Sequence, residues 1–310
     1  MVYAIMPAAI HACFNGFYYG RKTSLVPSVC QIVEQVARVL GTLLIYQILV
    51  QKGVPLEPIH AVWGLVISEL AGLLLNITAY FGSKNISQMD FYDFHIPSIA
   101  KSLGLMAIPL TLNHVLMTLS SSLENLLLPQ KLVAYGFSSD EALAHYGILT
   151  GMALSVIFFP SAITNSLAVL LLPRISETKS KGDICGVLDT IKAAVCCGVV
   201  LGSLCTFVFL LSANWIGIYV FDDALAGFYI RILSILCPFM YTSILLSSIA
   251  NGLGHATLTL ICNLSGCFVR ILAIWLFVPV YGMYAYIISM ILASILTTFE
   301  LVFVVKSKCK

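Results

Sequence analysis

The run YGILTGMALSVIFFPSAITNSLAVLLLP, Tyr146 to Pro173, contains no charged side chain. A helix needs about 20 predominantly apolar residues to cross the hydrocarbon of a bilayer. This run exceeds that length, and the rest of the chain resembles it. The 310 residues are 60% hydrophobic and 10% charged, with a mean hydropathy of +0.99. Soluble domains carry about 25% charged residues. So few charges leave no water-facing surface, and the fold class is an all-α polytopic membrane protein. Transmembrane barrel strands alternate in character over about ten residues, which these runs do not do. A net charge of +2 offers no basic face for nucleic acid.

The opening run also carries an interruption. Pro160 sits among Ser161, Thr164, Asn165 and Ser166. Proline has no N–H and frees a carbonyl one turn earlier, so it bends or breaks the helix. At bilayer depth such a break persists where hydroxyls, neighbouring helices or cavity water satisfy the loose groups. Ser161, Thr164 and Asn165 are positioned for that task. Two readings stay open: a structural kink, or a bent polar wall of a cavity.

Working outward, apolar runs of spanning length predict nine helices, over 2–19, 31–51, 59–81, 103–127, 145–172, 187–211, 226–250, 256–278 and 281–305. Lysines and arginines are retained on the cytoplasmic side. Alternate connections hold Arg21 and Lys22, Lys84 and Lys101, then Arg174, Lys179 and Lys181, and a tail with Lys306, Lys308 and Lys310. The intervening connections hold only Lys52 and Lys131. This alternation predicts a cytoplasmic C-terminus. A weak internal repeat relates Asn15–Gly16, Gly20 and Arg38 to Asn251–Gly252, Gly254 and Arg270. The second copy is preceded by three spans that the first lacks. Residues 1–90 are therefore expected to be a three-helix remnant of an N-terminal lobe, and 91–310 a six-helix C-terminal lobe.

Three motifs carry a family resemblance. NGFYYGRKTSLVPSVCQIVEQVARV, from Asn15, has a glycine-bounded loop leading into Pro-x-x-x-Gln-x-x-Glu-Gln-x-x-Arg. FFPSAITNSLAVLLLPRISE, from Phe158, and IANGLGHATL, from Ile249, follow in the same order. Together they resemble stage V sporulation protein B and its relatives, polysaccharide-biosynthesis flippases of the multidrug/oligosaccharidyl-lipid/polysaccharide exporter superfamily. The resemblance implies two helical bundles, alternating access, a bacterial plasma-membrane location and a lipid-linked saccharide as cargo. A sodium ion or proton would supply the coupling. Against a full-length member this sequence begins near the fourth helix, so about the first three are lacking. The 145–172 span has no Arg or Lys before Arg174, unlike the cationic helices expected to meet a pyrophosphate.

Polar residues at bilayer depth are costly and usually face a bundle interior or a wet cavity. Gln31, Glu34, Gln35 and Arg38 share one helical face. Glu34 and Arg38 either neutralise each other or line a cavity. Arg270 lies mid-span with Asn263 on its face and no acid of its own helix within reach. Its partner is therefore a glutamate on another helix or an anion. Asn113 and Glu124 lie along one stripe of the 103–127 span, and Glu69 and Asn76 form a thinner polar face. Glu300 is one turn from the lysine-rich tail and is expected to pair there. The candidate site residues are thus Glu34, Arg38, Asn113, Glu124, Asn165, Asn263 and Arg270, with Pro160 as the helix break. No histidine shows the spacing of a metal motif such as His-Glu-x-x-His, so neither metal nor cofactor is expected. Gly16/Gly20, Gly147/Gly151 and Gly198/Gly202 give Gly-x-x-x-Gly, which lets helices approach closely in lipid.

These observations lead to a flippase of lipid-linked saccharide precursors. The alternatives are a cation-coupled multidrug extruder, with Glu34 or Glu69 carrying the ion, and a truncated chain that does not transport. A membrane enzyme would need a clustered acid, base or metal set, which the sequence does not display.

Overall fold

Helix begins at Val2 and recurs through the chain to Lys308 in the computed structural model, which describes residues 2–21, 23, 25–53, 58–82 and 96–308. The chain divides into two compact units, Met1–Phe94 and His95–Lys310. All nine predicted runs are helical. Among the described residues seven helices are long and apolar enough to cross a membrane. Runs 2–19 and 103–127, outside those seven, form α1 (Val2–Gly20) and the middle of α4 (Ile96–Tyr135).

In the first unit α2 (Leu25–Gln51) and α3 (Pro58–Gly82) pack against each other, and α1 packs on α3. Small residues set the approach. A Cβ on Gly41 would meet Ile67 at 3.2 Å, and one on Gly64 would meet the Arg38 carbonyl at 3.3 Å.

The second unit begins with α4 and continues through α5 (Ser139–Gly147), α6 (Leu154–Phe158) and α7 (Ser161–Ser180). Ser138 and Glu141 form a reciprocal capping box that fixes where α5 starts. The predicted 145–172 span is subdivided. Ile148–Ala153 winds as a π-helix, and the chain bends between α6 and α7 at Phe159–Pro160. The capping is more dispersed than the sequence suggests. Ser161 Oγ donates to the Phe158 carbonyl (2.6 Å), and the Tyr241 hydroxyl, from a distant helix, donates to the Ile157 carbonyl (2.8 Å). Thr164 bonds back to Ser161, whereas Asn165 is exposed.

The remaining helices are α8 (Ile184–Trp215), which runs into a π-helical turn at Ile216–Val220, α9 (Ala224–Leu233), α10 (Cys237–Gly252), α11 (Ala256–Leu276), α12 (Val278–Tyr281) and α13 (Met283–Lys308). α10 packs on α7, α8 and α13, and α11 packs on α4 and α13. Tyr241, Leu245, Leu246 and Ile249 of α10 are essentially inaccessible, so α10 is the most enclosed helix of this unit. The repeat has only partial structural meaning. Gly254 adopts φ +83° in the turn after α10, which favours glycine, whereas Gly20 stays helical.

Candidate functional site

Polar side chains collect in each unit separately. In the second unit α4 and α11 run parallel and meet along one seam of matched residues. Asn263 Nδ2 donates to Asn113 Oδ1 (3.1 Å), and Cys267 Sγ lies 3.4 Å from the Met117 sulfur. Further along, Arg270 Nε donates to both carboxylate oxygens of Glu124, at 2.9 and 3.2 Å. Tyr286 of α13 donates its hydroxyl to Glu124 Oε2 (2.9 Å). The carboxylate is nearly sealed, with 8% of its side chain exposed against 20% for Arg270. Of the two partners left open for Arg270, the structure supplies the glutamate on another helix. Glu300 Oε2 accepts from Ser265 Oγ at 2.6 Å, across α11 and α13, while Lys308 and Lys310 of the tail expected to pair with it lie outside the described side chains.

In the first unit a different set converges from three helices. His11 Nδ1 of α1 approaches Glu34 Oε1 of α2 at 2.7 Å and Glu69 Oε2 of α3 at 3.9 Å. Behind the ring, Asn15 Nδ2 lies 2.7 Å from His11 Nε2, and Asn76 Nδ2 donates to Asn15 Oδ1 (3.3 Å). Arg38 does not bond to Glu34; its Nε reaches Ser68 Oγ at 3.4 Å. Glycine makes room for the cluster. A Cβ at Gly72 would lie 2.8 Å from Glu34 Cγ and 2.9 Å from Cδ. A Gly72→Ala variant is therefore expected to push Glu34 off α3 and lower thermal stability, whereas Gly16→Ala, with no atom within 4 Å, is expected to leave it unchanged.

The predicted residues thus separate into three groups. Asn113, Glu124, Asn263 and Arg270 form the α4–α11 seam, Glu34 and Arg38 belong to the α1–α3 cluster, and Asn165 lies exposed on α7. Sequence reasoning missed His11. Its ligand-like neighbours come from separate helices, so no local spacing announces it. The usable signal is a histidine or glutamate within each of three consecutive apolar runs: His11, Glu34 and Glu69.

No family model matches the chain. Stage V sporulation protein B of Bacillus subtilis (strain 168) is 23% identical over 265 residues, covering 84% of this chain and 51% of that protein. The chain is related to stage V sporulation protein B. Sporulation protein YkvU of the same organism is 21% identical over 197 residues, covering 63% of this chain and 44% of its own length. The chain spans about half the length of these sporulation proteins. Both similarities are to sporulation proteins, and the seven apolar helices agree with a helical, multi-pass membrane protein.

Proposed function

We propose that the chain moves lipid-linked saccharide precursors of the cell envelope across the bacterial plasma membrane by alternating access. On this reading the units are parts of two lobes, the C-terminus is cytoplasmic, and a sodium ion or proton supplies the driving force. The observation that carries it is a cleft of about 560 Å³ in the second unit, lined from α7, α8 and α10. Leu167, Leu171 and Leu245 give it apolar walls, and Gly186, Ala193 and Ala194 keep it wide. Arg174 and Asp189 also line it. An apolar trough with a guanidinium on its wall suits an amphiphile with an anionic head. Arginine forms paired, charge-assisted hydrogen bonds to phosphate oxygens, while leucines accommodate hydrocarbon. The cleft sits beside the basic Arg174–Lys181 segment, which the charge alternation assigns to the cytosol.

The test uses the chain reconstituted in vesicles with fluorescent lipid-linked saccharide. Accelerated transfer between leaflets is expected, falling about tenfold or more in Arg174→Glu with membrane insertion unchanged. Protein-independent transfer rates would sink the proposal. Two intramembrane carboxylates, Glu34 and Glu69, favour a second reading as a cation-coupled extruder. Gradient-driven export of cationic dyes without lipid transfer would select it.

A further inference from the structure

We infer that His11, Glu34 and Glu69 form a binding site for a divalent first-row transition-metal cation. Each residue offers one ligand atom, and the three atoms lie within 4.8 Å of one another. In a tetrahedral site with bonds of about 2.0–2.2 Å, ligand atoms stand roughly 3.4 Å apart. Only small side-chain shifts therefore separate the observed 2.7 and 3.9 Å approaches from that geometry. One imidazole and two carboxylates suit zinc or manganese better than a soft, thiolate-seeking ion. Charge argues the same way. Two carboxylates among apolar helices are costly, and a dication held between them offsets both of their charges.

Two features distinguish the cluster from an ordinary buried ion pair. First, despite its 2.7 Å approach to His11, Glu34 Oε1 is buried and accepts no aligned hydrogen bond among the described residues. Second, the side chains behind the histidine can serve a ligating ring. A metal-bound histidine needs its other ring nitrogen protonated and held by an acceptor. Turning the Asn15 amide by half a turn places Oδ1 against His11 Nε2–H. Turning Asn76 with it brings Asn76 Oδ1 to the Asn15 NH2. Asn76 is fully buried, and its Oδ1 has no donor in the present arrangement. Amide orientations of this kind are interchangeable in shape and set by the network.

The site is independent of the cleft. A cation there would tie α1, α2 and α3 together and stabilise the first unit through binding to the folded state alone. The test uses the full chain in detergent, stripped with chelator and then titrated with zinc chloride and, separately, with manganese chloride, which cysteines compete for poorly. One equivalent bound per chain by elemental analysis, with a raised Tm, is the expected result. His11→Ala, Glu34→Gln and Glu69→Gln should each weaken binding by about 100-fold or more, while keeping the Tm of the stripped protein. Asn15→Ala, which removes no ligand, should weaken it by about 10–100-fold. His114→Ala, on an exposed face of α4, should leave binding unchanged. Equal binding by wild type and the ligand variants would overturn the proposal, as would a Tm response to sodium but to neither divalent ion.

Discussion

Glu124→Ala is expected to destabilise the second unit by about 3–5 kcal/mol, the usual cost of stranding one partner of a buried ion pair. The geometry makes the effect asymmetric. Without Glu124, Arg270 keeps its charge in a place where 20% of its side chain reaches the surface, because a guanidinium does not deprotonate in proteins. Without Arg270, Glu124 still receives the Tyr286 hydroxyl, so its carboxylate keeps a hydrogen-bond donor. Arg270→Ala should therefore cost less, about 1–3 kcal/mol. Replacing both together, as Glu124→Leu with Arg270→Met, should recover most of the loss, since an apolar pair of similar volume replaces a desolvated ionic one. Denaturant unfolding of the four proteins in one detergent measures all three quantities. Equal losses from the two single alanines, or losses below about 1 kcal/mol, would mean that the pair does not carry the seam.

That pair shows where sequence reading reaches its limit. Hydropathy located the nine long apolar runs that fold as helices, because burial in lipid demands such runs whatever the tertiary contacts, but it missed most of the polar α5 and the outer turns of α4. Pro160 located the bend for an equally local reason: a missing N–H acts wherever it stands. Glu124 and Arg270 were both visible as costly charges, but their pairing depends on α4 and α11 lying parallel across 146 residues of chain. Nothing local encodes that alignment. Glu300 accepts from Ser265 for the same reason, since the donor comes from the neighbouring helix α11 and not from its own helix. His11 is the extreme case, a lone histidine whose chemistry arises only when α2 and α3 bring carboxylates to it. Likewise, Tyr241 capping the Ile157 carbonyl was hidden because the cap comes from 84 positions away.

The Gly-x-x-x-Gly pairs yield the second large effect. Three such pairs read alike in sequence, yet only Gly198/Gly202 lies against another backbone. A Cβ on Gly202 would stand 2.7 Å from Pro238 N and 2.9 Å from the Cys237 carbonyl carbon. One on Gly198 would stand 2.8 Å from both Cα and Oγ1 of Thr242. The obstacles are mostly main-chain atoms of α10, which cannot rotate aside, so α8 and α10 must separate. Overpacking typically costs about 1–3 kcal/mol where side chains can adjust. Gly202→Leu should reach or exceed the top of that range, because α10 is also packed by α7 and α13 and has no room to retreat. Gly147 and Gly151 have no atom within 4 Å of a built Cβ. Leucine at Gly151 should therefore change stability by less than about 0.5 kcal/mol, the ordinary range for uncrowded positions. Thermal unfolding in matched detergent compares the two, with a cysteine pair across α8 and α10 reporting their separation. Equal stability of the two leucine variants would mean that α8 and α10 are not in backbone contact at Gly202.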